Sequence, residues 1–230
     1  MRPVTKSVRY NEDGSPLTFH HWDEAKTDML NELGKYCSFC EREGYRSSLA
    51  IEHIFPKDLD KYEHLKFRWD NFLLGCINCN STKGTKDIDP SHIYLPNLDN
   101  LLTTVEILEG GAIQVKGDLP EDVRNKTIAF IELVGIDRDP SHPRYSEKDD
   151  RWESRLKVWE IATDFCRDYQ DQQIRLERIV QMAQWSGYFS VWLKVFRAHP
   201  EVKELLIRSF SGTDTGCFDE NFEPVVRIRQ

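Results

Sequence analysis

The sequence predicts an α+β fold in which a small cysteine-stapled module sits within a mostly helical chain. Two Cys-x-x-Cys pairs, Cys37 with Cys40 and Cys76 with Cys79, enclose a short run of strand character. From residue 121 onward the apolar spacing turns helical. The chain's 230 residues are 39% hydrophobic and 30% charged, ordinary values for a globular protein with a real core. The expected divisions are an N-terminal arm and helix over 1–35, the cysteine module over 36–115, and a helical region over 116–230.

The elements follow in order. Residues 1–20 read as irregular, with a turn cluster at Asn11-Glu12-Asp13-Gly14-Ser15-Pro16. Trp22, Ala25, Met29, Leu30 and Leu33 fall at helical spacing, and Gly34 ends the run. Leu49 to Phe55 is a strand candidate, 56–68 a charged loop, and Trp69 to Leu74 a return segment. Ile107 to Val115, broken by Gly110-Gly111, predicts a small hairpin. Asp122 to Val134 predicts a helix stopped by Gly135. Trp152, Leu156, Trp159, Ala162, Cys166 and Tyr169 trace a long helical stripe, continued by Leu176, Ile179, Val180 and Ala183. Shorter helices are expected over Tyr188 to Phe196 and from Pro200 to Phe210, with Pro200 suited to a first helical position. Phe222 to Ile228 reads as an edge strand.

Composition sets expectations about setting. No apolar run approaches the ~20 residues needed to span a bilayer. Met1-Arg2-Pro3-Val4-Thr5-Lys6 lacks an apolar signal core, so a cytoplasmic location with no membrane contact is expected. In such a chain six cysteines favour metal binding over disulfides, with Cys166 and Cys217 read as buried or incidental thiols. The net charge of −8 argues against a broad nucleic-acid-binding surface. Residues 35–90 carry nine basic and nine acidic side chains, so the acidic excess lies elsewhere.

Four cysteines at this spacing suit one tetrahedral, structural Zn2+. A redox dithiol is the competing reading of a Cys-x-x-Cys pair. Between the pairs, Ile51-Glu52-His53-Ile54-Phe55-Pro56 places a carboxylate beside an imidazole. A neutral imidazole can take a proton from water near pH 7. Adjacent strand residues point to opposite faces, so Glu52 and His53 can serve one site only if the strand ends, twists or bulges there. Asn80 offers an amide oxygen suited to Mg2+, and is equally a good N-cap. Asn71 would brace the loop between strand and helix, or is an ordinary turn residue. Lys83, one turn beyond Asn80, reads either as a phosphate contact or as a solvated charge. Lys57 is a second candidate cation for nucleic acid. Together these residues point to a nuclease, with a non-catalytic zinc adaptor as the alternative.

Glu52-His53, Asn71 and Asn80, enclosed by the two Cys pairs, resemble the HNH (ββα-metal) nuclease motif over residues 36–86, with Asn in place of the last His. The resemblance implies a ββα-metal module in which His53 is the general base, Glu52 and Asn80 hold a catalytic Mg2+ or Mn2+, and Asn71 orients the loop. Further segments are similar to the nuclease subunits (PtuB) of Septu anti-phage systems and their retron-associated relatives. These are Met1-Arg2-Pro3, Gly34-Lys35-Tyr36-Cys37-Ser38-Phe39-Cys40-Glu41, Ile51 to Lys57, Trp69 to Cys76, and Tyr94-Leu95-Pro96 with Asp99-Asn100. The similarity is looser beyond residue 120. It implies a nucleic acid substrate, DNA or RNA, and a PtuA-like ATPase partner docked on the acidic helical region. Trp152, Trp159, Trp185 and Trp192 are expected in the core, and any one exposed would mark the partner face.

Overall fold

The computed structural model describes residues 1–229. Its architecture is α+β, with two small antiparallel sheets and seven α-helices among the described residues. A 3-10 turn at Trp22–Ala25 leads into α1 (Lys26–Leu33), which buries Met29 and Leu33. β1 (Leu49–His53) pairs antiparallel with β2 (Phe72–Cys76), in a register running from Leu49 opposite Cys76 to His53 opposite Phe72. α2 (Ile77–Lys83) follows β2 without a linker. The connection between the strands holds 3-10 turns at Asp60–Leu65 and Trp69–Asn71.

β3 (Val105–Ile107) and β4 (Ile113–Val115) form the second hairpin around the glycine pair. Then come α3 (Glu121–Val134), α4 (Arg151–Gln170), α5 (Leu176–Ser186), α6 (Phe189–Val195) and α7 (Pro200–Ser209). One apolar core runs through all of these segments, with Trp69 from the turn before β2, Phe72 from the first sheet, Phe130 from α3, and Trp192 and Leu206 from α6 and α7. The irregular N-terminal stretch is woven into it. Arg2 is buried and donates to the carbonyls of Leu33 and Ser211, while the Trp69 indole donates to the Ser7 carbonyl at 2.7 Å.

Two expectations change. The buried face of α4 is Arg151, Arg155, Val158 and Ala162, one step away from the stripe of Trp152, Leu156 and Trp159. Two arginines hold that face because α3 ends against it. Arg151 donates to the carbonyls of Val134 and Gly135, and Arg155 to that of Ile136, satisfying acceptors that a helix end leaves without partners. Phe222 to Ile228 forms no strand. Phe222 has a φ of +59°, and Pro224 lacks the N–H a ladder needs, so pairing stops at an isolated bridge between Phe218 and Pro224.

Gly187 joins the helical region to the cysteine module. Its φ is +72°, and a Cβ there would stand 2.6 Å from the Glu43 nitrogen and 2.8 Å from the Glu41 oxygen. Only glycine lets the end of α5 lie against residues 41–43, where Tyr188 N–H donates to Glu41 O at 2.9 Å. Arg42 adds a two-pronged ion pair with Asp150, at 2.5 and 2.6 Å.

Candidate functional site

The four cysteines converge. Cys37 and Cys40 lie on a tight knuckle in which Cys37 N–H donates to Arg42 O and Glu41 N–H to Cys37 O. Cys76 ends β2 and Cys79 lies in the first turn of α2. All four sulfurs fall within 4.8 Å of one another, all are buried, and Cys40 Sγ is 3.7 Å from Cys76 Sγ. A tetrahedron with arms of ~2.3 Å, the usual zinc–thiolate distance, has edges of ~3.8 Å. The arrangement can therefore hold one zinc ion with no open position. Hydrogen bonds from the other three thiols pull the Cys76 thiol far below its usual range. Burial pushes Cys79 up, and the Cys37 and Cys76 thiols push Cys40 up. Four such sulfurs cannot all ionise together without a cation among them.

Arg151 completes this centre from 72 residues away in sequence. Its side chain is 1% exposed, and Nη1 donates to Cys79 Sγ at 3.1 Å. The same guanidinium binds the Val134 carbonyl at 2.7 Å, the Gly135 carbonyl at 2.9 Å, and Asp149 at 2.5 and 2.8 Å. A four-thiolate zinc centre carries net charge −2, so a fixed cation on one sulfur stabilises it. Sequence reasoning missed this residue. A signal existed: Arg151 is the first residue of α4, where the helix dipole disfavours a cation, so its placement needed another cause.

The β1–β2 ladder keeps regular register through Glu52 and His53, and no bulge reconciles them. They point to opposite faces, and no hydrogen bond joins them. Glu52 is buried against α2, where Lys83 Nζ lies 2.8 Å from its Oε1. Burial raises the Glu52 carboxyl above its ordinary value, against the opposing pull of Lys83 and Lys57. Gly75 lets the carboxylate lie there, since a Cβ would meet Glu52 Cβ at 3.0 Å. The expectation that Lys83 reaches a phosphate from the surface is corrected. Lys83 is 1% exposed. It stands four residues after Cys79, so it shares that residue's inward face of α2 and turns toward β1.

His53 closes β1, packed edge-on between the rings of Trp22 and Phe72, at centroid distances of 5.8 and 5.2 Å. Its Nε2 is 2.9 Å from the Lys66 carbonyl. A carbonyl only accepts, so in the neutral ring the hydrogen is assigned to Nε2 and Nδ1 carries the lone pair. Burial lowers the imidazole below its ordinary value, with Lys57 and Lys83 adding to the shift and the Lys66 carbonyl opposing it. The ring is thus neutral near pH 7. Asn71 holds the loop that follows: Oδ1 accepts from Phe55 N–H at 2.8 Å, and Nδ2 donates to the carbonyls of Phe55 and Leu65 at 3.1 and 3.2 Å. Asn80 is half-buried in α2, and its carboxamide makes no hydrogen bond among the described residues. Lys57 is half-buried, with Nζ 3.8 Å from the centre of the Trp22 ring. Lys57 and Lys83 both bear on Glu52 and His53, Lys83 as the direct ion-pair partner of Glu52.

Glu52 and Asn80 are the oxygen donors that a divalent cation would have to use. Asn80 has a free amide oxygen, and Glu52 has one oxygen engaged by Lys83 and one not. One carboxylate and one amide, with water filling the remaining positions, is an ordinary Mg2+ set. No family model, curated protein or solved structure matches this chain significantly. No helix among the described residues is long and apolar enough to cross a membrane.

Proposed function

We propose that the chain is a metal-dependent endonuclease of HNH type. The observation that carries the reading is the state of His53: a neutral ring at the end of β1, its Nε2 tied to a carbonyl, its Nδ1 left as a base. It lies within a strand–strand–helix unit that also bears Glu52, Asn71 and Asn80. Nδ1 removes a proton from water as the oxygen attacks phosphorus, and the P–O bond to the leaving oxygen breaks. Asn71 holds the loop carrying Phe55 and Leu65 in place around the imidazole. Lys57, half-buried beside Trp22, favours the approach of a phosphate, while Lys83 stays paired with Glu52. Glu52 and Asn80 would hold a divalent cation, which would supply charge neutralisation to the reaction. The zinc is structural, tying β2 and α2 to the knuckle.

We place the chain, by its resemblance to PtuB nuclease subunits, as the effector of an anti-phage system governed by an ATPase partner. The net charge of −8 supports a need for such a partner, because the chain alone offers a duplex little positive surface. Trp185, 73% exposed on α5, supports the helical region as the docking side. A second reading, a zinc-stapled adaptor without catalysis, is favoured by the Glu52–Lys83 pair, which satisfies the carboxylate without any metal.

Cleavage of duplex DNA, single strands and tRNA with Mg2+ or Mn2+, by the chain with and without co-purified partners, tests the proposal. His53→Ala should lose cleavage while keeping its fold. Cleavage by that variant near the wild-type rate would end the base assignment. No cleavage by the partnered wild-type chain on any of these substrates would favour the adaptor.

A further inference from the structure

A cavity of about 230 Å³ lies apart from the cysteine cluster and His53, between Met1, the β3–β4 hairpin, α6, α7 and residues 222–224. Its charge runs against that of the chain. Four cations line it, Lys116, Lys194, Arg197 and Lys203, against two carboxylates, Glu106 and Glu223. Each carboxylate already has a cation: Lys194 Nζ is 2.9 Å from Glu106, and the buried Lys203 is bonded to Glu223. Among the described residues, Lys116 and Arg197 are left without a carboxylate. Among the described residues the Lys116 ammonium, half-buried, donates only to the Leu102 carbonyl, at 2.9 Å, and burial lowers its pKa. Arg197 is exposed, and its one hydrogen bond is a long one of 3.5 Å to the Lys194 carbonyl. In a chain of net charge −8, a concave surface with two surplus cations needs a cause.

The remaining wall is apolar, built from Leu102, Val105, Leu193 and Phe222. An ion that was all charge would leave this wall unused. A half-buried ammonium gains most from an anion that shares its shelter from water. We propose that this cavity binds a small organic anion, its carboxylate or phosphate head on Lys116 and Arg197 and its apolar body against Leu102, Val105, Leu193 and Phe222. The volume admits a body of roughly six to ten heavy atoms, below the range of drug-sized pockets. The site has a physical link to the metal module. Ser190, on the cavity wall, donates through N–H to Glu41 Oε2 at 3.0 Å and through Oγ to Oε1. Glu41 adjoins Cys40 in the knuckle. A ligand that fixes α6 therefore fixes the carboxylate beside one zinc ligand.

Calorimetric titration of the full, zinc-loaded chain tests this, with phenyl phosphate, hexanoate, inorganic phosphate and 1-hexanol as probes. One or both organic anions should bind at a single site, and the tighter of the two assigns the head group. Inorganic phosphate and hexanol should bind at least tenfold more weakly, because each lacks half of the recognition. Arg197→Gln, which removes no structural bond of ordinary length, should weaken the organic anion about tenfold, and Lys116→Gln should do the same. The proposal is overturned if neither organic anion binds below about 10 mM, if hexanol or inorganic phosphate binds as tightly, or if Arg197→Gln leaves the affinity unchanged. None of these outcomes depends on nuclease activity.

Discussion

Replacing Arg151 by methionine removes a guanidinium while keeping much of its bulk. The side chain is 1% exposed and makes five hydrogen bonds: to Cys79 Sγ, to two carbonyls at the end of α3, and two to Asp149. Asp149 is largely shielded and keeps only Asn78 as a side-chain partner after the change. Breaking a buried charge pair by removing one partner costs about 3–5 kcal/mol. Asp149 keeps some access to water and its Asn78 bond once the cation leaves, so the lower half of that range is expected, about 3 kcal/mol. For a chain of this size that is a fall of roughly 6–12 °C in Tm. The variant should also release zinc to a chelator faster, because a centre of charge −2 has lost its cation. Arg151→Lys keeps the charge but not the fork, and should fall between the two. Urea unfolding of the zinc-loaded protein and chelator-competition kinetics read both effects. A loss below about 1 kcal/mol with unaltered zinc release would refute the reasoning.

Cys76→Ser should lower bound zinc from one equivalent toward none and reduce stability sharply; retained zinc by elemental analysis with an unchanged Tm would count against a structural ion. Lys83→Met strands the buried Glu52 carboxylate, so stability without divalent metal should fall by about 3 kcal/mol. Added Mn2+ should recover part of that loss, whereas a Tm indifferent to Mn2+ would remove Glu52 from the metal site. The lowered His53 pKa places the acid limb of the cleavage rate below pH 6.5, since the base is lost only when pH falls through the folded-state value. For stability the sign is the same: unfolded chains bind the proton first, so stability drops as pH falls from ~6.5 toward the lowered value. A rate profile with its midpoint above 6.5 would contradict this. Gly187→Ala forces a Cβ into residues 41–43 at positive φ and should cost about 2 kcal/mol or more, read by urea unfolding; a neutral substitution would show that this junction is loose.

The cysteine cluster was legible in the sequence because its geometry is local. Two-residue gaps set the sulfurs of each pair, and only the closing of one loop was left to the fold. The α+β class, the β1–β2–α2 order, and the ends of α1 and α3 at Gly34 and Gly135 were legible for the same reason. The buried face of α4 was not, because hydropathy spacing favours Trp152 and Trp159, while the fold needed donors for the end of α3 and took Arg151 and Arg155. The tail strand failed at Phe222 and Pro224, where a left-handed backbone and a missing N–H outweigh β-branched composition.

By itself, then, the chain's order of residues determined which groups are present and which neighbours share a turn: four sulfurs, an imidazole next to a carboxylate, an amide one residue past the last sulfur. Only the tertiary structure decided which way each one faces. It turned Lys83 inward to Glu52, set the hydrogen of His53 on Nε2, and brought Arg151 to Cys79 across 72 positions. Direction and partnership in a packed interior are set by which donors and acceptors would otherwise be buried alone, and that depends on segments far apart in the chain.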